Sequence, residues 1–295
     1  MLTCVNQYTR IGPSAIVQAL LSWCVFVVAL ALADVGSTAV DLAADQLPAA
    51  IRRAVPAAIT LVLTVPLVLL IHRRRRRVLA LVQPRRVLIG IVVMLSCAGV
   101  AFAPAVLAGW ITVTGVNLPV LLIFLATNTA LALALEAVPE ELVFRGSMYG
   151  SLRTISPSWL AAVTATVGFV VAPAVSIAVA AAFGHVLGLP TPPPTFAPGG
   201  QNPIDYAILL TVFGVCLILA REATGSIWAP VGAHLTFLTV NRLTFPGGFD
   251  TGVTTTVESG TELLVLGYLL AACAVFAVIR RGQIRHSRTP QHAGA

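Results

Sequence analysis

The sequence predicts an all-α integral membrane protein with about eight transmembrane helices. Three observations carry this expectation. The 295-residue chain is 58% hydrophobic and only 10% charged, whereas a soluble domain carries roughly 25% charged residues. Eight stretches approach the ~20 mostly apolar residues that cross a bilayer: 13–33, 54–71, 87–108, 118–138, 158–183, 204–220, 226–245 and 261–279. All 18 basic residues are Arg, and they cluster at the ends of these stretches. So hydrophobic a chain is not disordered. Its net charge of +7 lies in span-end clusters rather than on one basic face, so no nucleic-acid partner is expected.

The elements follow in order. The first span ends at Ala31-Leu32-Ala33 before Asp34, which resembles a signal-peptidase site. Its apolar run of ~20 residues exceeds an ordinary signal core, and cleavage would not alter the later spans. The second span ends at the Arg73 to Arg77 run. That run reads as a topology anchor and also attracts anionic membrane lipid. Arg85 and Arg86 precede the third span, and an acidic cluster ends the fourth. The fifth starts after Pro157. Loop 190–203 has polyproline character, and 246–260 is a second, Gly-rich loop. Arg221 closes the sixth span, and a tail at 280–295 follows the last. With the N-terminus inside, 15 of the 18 Arg lie on the inner side, and only Arg52, Arg53 and Arg242 fall outside. Positive loops stay cytoplasmic. The expectation is therefore a multi-pass protein of the cell membrane with both termini cytoplasmic. The five cysteines are scattered without close pairs and read as small hydrophobes.

Ionisable residues inside a bilayer are costly and mark function by default. The densest group is Glu136-Ala137-Val138-Pro139-Glu140-Glu141-Leu142-Val143-Phe144-Arg145-Gly146. Pro139 either kinks the span or begins a new helix at its first position. Glu141 and Arg145, four apart, share a face and can pair. Glu140 lies about 100° round from Glu141 and lacks a dedicated partner, which suits a general base acting on water. A solvated interfacial charge cluster is the plainer alternative. Two histidines, His185 and His234, lie in apolar segments. Glu and His can hold a divalent metal or activate water in an apolar cavity. His72, His286 and His292 sit beside Arg clusters or in the tail and receive no role.

Here the sequence resembles a known family. Glu140-Glu141-Leu142-Val143-Phe144-Arg145 matches the E-E-x-x-x-R motif of the CAAX protease and bacteriocin-processing (Abi) family. Thr224-Gly225-Ser226-Ile227-Trp228-Ala229-Pro230 leading to His234 resembles that family's last motif. The resemblance covers 118–245, between the three or so helices of 1–115 and the last span, 261–279. It implies a glutamate-dependent intramembrane endopeptidase like the prenyl-protein type II CAAX endopeptidases, which cut near lipidated C-termini. Bacterial members are linked to bacteriocin maturation or self-immunity. Carried over residue by residue, Glu140 is the water-activating glutamate, Glu141 and Arg145 complete the first motif, and His234 is the last histidine. The family name implies a divalent metal, zinc by expectation, on Glu140 and His234. The substrate implied is a peptide or lipidated protein. The final H-x-x-x-N has Leu238 at its fourth position, with Asn241 a turn beyond. The middle F-x-x-x-H motif reads Phe169 to Pro173 in register, or ends at His185 with Ala181 in place of Phe. His185 is 12 residues beyond Pro173, about 18 Å along a straight helix. It reaches the site only if 157–185 is broken.

Three functions follow as alternatives. The first is the protease, with Glu140 and His234 side chains within about 8 Å of each other. The second is a non-catalytic relative acting as a membrane binding or immunity protein. The third is a solute transporter, disfavoured because the sequence shows no internal repeat.

Overall fold

A computed structural model describes residues 12–43, 47, 49–190, 193–197, 201–245 and 247–288. The described residues form helices α1 (Gly12–Ala43), α2 (Ala49–Ile71), α3 (Val87–Leu107), the composite α4 (Leu118–Leu152), α5 (Ser158–Leu187), α6 (Pro203–Thr224), α7 (Trp228–Thr244) and α8 (Leu263–Arg288). Arg10, the tail beyond 288 and parts of the 190–203 loop lie outside the described residues. Seven of the helices are long and apolar enough to span a membrane. The chain is an all-α multi-pass membrane protein. The expected seventh span, 226–245, is the exception. Its helix has 17 residues, about 25 Å long against a ~30 Å hydrocarbon core, and its first half is buried in the protein.

Several elements differ from expectation. α1 continues ten residues past Ala33, because Ala31 and Val35 pack with Ala180 of α5. The signal-peptidase-like tripeptide thus sits inside a continuous helix. Two runs expected as connecting loops are strands, β1 (Ile111–Val116) and β2 (Val253–Val257), paired antiparallel with Ile111 opposite Val257. Both alternate Val, Ile and Thr, whose branched side chains fit a pleated surface. They lie at the end of the bundle away from the Arg-rich loops.

The Arg73 to Arg77 run is not a loose anchor alone. Behind it Leu79 is fully buried, the Ala80 carbonyl accepts from the Ile227 amide at 3.2 Å, and the Val82 carbonyl accepts from Ser226 Oγ. This loop pins the start of α7. α4 lies centrally, touching α1, α2, α5, α6 and α7 along its second half. α3 wedges α7 from behind. A Cβ on Gly232 would fall on the Val87 carbonyl, and one on Gly90 would fall on the Ala229 carbonyl. Reciprocal glycines therefore let the two backbones meet, which holds α7 at the depth its histidine needs.

Gly232→Ala is expected to lower the unfolding temperature in detergent by several degrees, the scale of an overpacking cost of about 1–3 kcal/mol. A wild-type melting curve would show that the α3–α7 crossing has slack.

Candidate functional site

Helix α4 changes pitch where its charges lie. Residues Leu133–Ala137 and Glu141–Met148 are π-helical, with the short α-helical stretch Val138–Glu140 between them. Pro139 starts no new helix. The wider turns on either side carry the chain past a residue that cannot donate a backbone hydrogen bond, and π turns recur at functional sites.

Glu141 and Arg145 are both buried, at 0% and 1% exposure, and Arg145 Nη1 lies 3.2 Å from Glu141 Oε1. Among the described residues Arg145 is the largest fully buried side chain. Its guanidinium stands 4.4 Å over the Phe169 ring of α5 and 5.8 Å from the Phe144 ring centroid. Nη2 donates to the Gly214 carbonyl of α6 at 3.5 Å. The expected ion pair is present and spans the interior. Among the described residues, Arg145 Nε and Glu141 Oε2 have no hydrogen-bond partner.

His234 of α7 faces the same carboxylate. Its Nδ1 lies 2.9 Å from Glu141 Oε1. A carboxylate only accepts, so Nδ1 carries the proton and donates, and Nε2 points onward. Nε2 lies 4.0 Å from Glu140 Oε2. That is well inside the expected 8 Å and just beyond direct hydrogen bonding. Glu140 is the more accessible carboxylate, with 16% of its side chain exposed. A water oxygen about 2.8 Å from each atom would bridge the gap with a bend of about 90°. The Phe213 ring stands edge-on to the imidazole at 4.9 Å and stacks on Phe237 at 4.2 Å. These rings fix the plane of the imidazole.

One guanidinium, one imidazole and two carboxylates make this cluster. It is neutral when a single extra proton sits on His234 or Glu140. In a low-dielectric interior that balance is favoured, and His234 Nε2 and Glu140 Oε2, 4.0 Å apart, are the two places such a proton could sit.

Residues 116–240 match the family model described as type II CAAX prenyl endopeptidase Rce1-like. This stretch, somewhat under half of the chain, is similar to the CAAX protease family. No curated protein and no solved structure matches the chain.

Against the family's motifs, the structure brings together Glu140, Glu141, Arg145 and His234, and leaves His185 out. α5 is one helix from Ser158 to Leu187, not broken, so His185 is carried to its far end and is exposed there. Phe169 contacts Arg145, and His185 lies 16 residues further on, about 24 Å along the helix. The register beginning at Trp159 puts Pro173 at the middle-motif position. Asn241 does not stand in for the missing final Asn. It donates to the Phe237 carbonyl at 2.8 Å and to Tyr268 Oη of α8 at 2.7 Å, away from Glu140.

The donor set also bears on a metal. A catalytic zinc takes three protein ligands, and among the described residues no group of three His, Cys, Asp or Glu side chains could hold an ion. Glu140 and His234 offer two donors, while Glu141 Oε1 is already committed to His234 and Arg145. The residues do not fit the expected resident zinc.

Two clusters escaped the sequence reading. Arg242, expected outside, turns inward to Glu136 Oε1 at 2.6 Å and Asn128 Oδ1 at 2.8 Å. Glu136 and Glu140 are four apart on α4, Arg242 and His234 eight apart on α7, and this antiparallel spacing could have paired them. His72 is fully buried. Its Nε2 lies 3.2 Å from Ser151 Oγ and 3.3 Å from Ser147 Oγ. Ser147 Oγ donates to Ser22 Oγ at 2.8 Å. The neighbouring arginine run hid a histidine that ties α1, α2 and α4 together.

Arg145→Ala is expected to cost about 3–5 kcal/mol, because it leaves a buried carboxylate uncompensated. Membrane abundance and thermal unfolding in detergent read this directly. Wild-type values for both would mean that Glu141 is satisfied without the guanidinium.

Proposed function

We propose that the protein is an intramembrane endopeptidase of the CAAX protease type, hydrolysing a peptide bond with water activated by Glu140. The observation that carries this reading is the 4.0 Å gap between Glu140 Oε2 and His234 Nε2. It is sized for one water on a base and beside an imidazole whose other nitrogen is fixed by Glu141.

The chemistry follows from the one extra proton. With that proton on His234, Glu140 is ionised. It takes a proton from the bound water as the water oxygen attacks the scissile carbonyl carbon. His234 Nε2–H donates a hydrogen bond to the developing oxyanion, and Nδ1 stays on Glu141. Glu140 then returns the proton to the leaving amine as the carbon–nitrogen bond breaks. Arg145 touches no reacting atom in this scheme and positions Glu141. No step is routed through a metal. The substrate class implied by the family resemblance is a lipidated protein C-terminus.

A second reading has one observation in its favour. Among the described residues one imidazole faces the carboxylates, and the resemblance puts Pro173 and Leu238 at the other motif positions. A relative that has lost catalysis and keeps the site for binding or immunity would look like this.

Cleavage of a farnesylated, fluorescently quenched peptide by the purified full-length protein in vesicles separates the two. Wild-type turnover is expected, with a loss of about 10²–10⁴-fold in Glu140→Gln and an unchanged melting temperature. No turnover by the wild type on prenylated or unprenylated peptides, or full activity in Glu140→Gln, would overturn the protease reading.

A further inference from the structure

Two cavities outside this site share one wall. The first is an apolar groove of about 440 Å³ between α5 and α6. Its α5 side is formed by Trp159, Val163 and Val167, which are 66%, 52% and 55% exposed. Val215 of α6 is 42% exposed on the facing side. The α5 wall runs from Ser158 to Val171, about 20 Å. That exceeds half of the ~30 Å hydrocarbon thickness, so the groove has the length of one leaflet's acyl chains.

The second cavity, of about 730 Å³, is polar and lies at the Arg-rich end of the bundle. Glu222 and Arg280 line both cavities, so the groove opens into the pocket. Arg77, Arg153 and Arg221 complete the basic lining. Four arginines face one carboxylate, and that carboxylate is already engaged by Tyr149 Oη and by Arg280 at 3.0 Å. Arg77 and Arg153 are exposed, and Arg153 also reaches Tyr149. Arg221 Nε is buried with no hydrogen-bond partner among the described residues. The pocket thus holds a positive excess and an unsatisfied donor. Trp159 marks the level where aromatic side chains sit at a membrane interface.

We propose that this joined groove and pocket is a binding site for an anionic glycerophospholipid of the bilayer, separate from the Glu140–His234 site. The phosphate sits among Arg77, Arg153 and Arg221, and an acyl chain lies along Val163, Val167 and Val215. Charge complementarity selects the headgroup, and the length and apolar walls of the groove select a chain-bearing ligand over a soluble phosphate. The bound lipid closes the cleft between α5 and α6. These helices carry Phe169 and Gly214, which contact Arg145, and Phe213, which packs on His234, so occupancy stiffens the frame of the site.

The test uses the purified full-length protein and needs no activity. Native mass spectrometry follows retention of a phosphatidylglycerol with two acyl chains. The comparison ligands are a phosphatidylcholine of the same chains and soluble glycerol phosphate. Preferential retention of phosphatidylglycerol is expected, with negligible binding of glycerol phosphate. Near-surface arginines contribute about fivefold each to anionic-lipid binding. Arg77→Gln with Arg153→Gln, both exposed, should therefore reduce the preference at least tenfold. Val167→Trp, which fills the groove, should reduce retention of both lipids. Replacing Arg73 and Arg74 with Gln should leave retention unchanged. Equal retention of the two lipids overturns the proposal. So does a loss that follows Arg73 and Arg74 but not Arg77 and Arg153, since it would show adsorption to the arginine run alone.

Discussion

A guanidinium buried at the centre of a helical bundle is the constraint on which the rest of this structure depends. Removing Arg145 from water is costly unless its charge is paired and its donors are used. The protein answers with Glu141 on the next turn, the Gly214 carbonyl on α6, and aromatic faces from Phe144 and Phe169. Each partner comes from a different direction, so the ion pair fixes where α5 and α6 stand against α4. Glu141 cannot turn away without stranding the arginine. Its oxygen is thus a fixed acceptor, and His234 Nδ1 locks onto it.

The same logic sets the path of α7. His234 must stand deep enough to meet Glu141, and Arg242, two turns on, must meet Glu136. A 17-residue helix satisfies both only if its backbone is held hard against its neighbours. Gly232 against Val87 and Gly90 against Ala229 provide that contact from α3. The loop behind the arginine run holds the start of α7 through Ala80 and Val82. Electrostatic pairing along α4 and close backbone packing along α3 therefore enforce one position from two sides. What emerges is a carboxylate and an imidazole a water's width apart.

Much of this was legible in the sequence, for identifiable reasons. Apolar runs and span-end arginines gave the membrane class, because the bilayer penalises any other placement. The spacing of Glu141 and Arg145 gave their pairing, and helix periodicity separated Glu140 from it. The juxtaposition of Glu140 and His234, 94 residues apart in the chain, came through motif resemblance. No local rule could have supplied it. The continuity of α5 was not legible. Pro173 reads as a break, yet the helix runs on from Ser158 to Leu187 and carries His185 to its far end. The strands at 111–116 and 253–257 were missed because each pairs only with the other, across the whole protease-like region. The Arg242–Glu136 pair was missed because charge counting assigns loops and ignores a partner on a neighbouring helix.

The central claim is that Glu141 fixes the His234 tautomer so that Nε2 faces Glu140. Nitrogen-15 NMR of the histidine side chains, with His234 identified by its loss in His234→Gln, reads this without any substrate. The account predicts a protonated Nδ1 in a strong hydrogen bond, whose signal shifts or broadens in Glu141→Gln. A neutral His234 with its proton on Nε2, or a spectrum indifferent to Glu141→Gln, would contradict it.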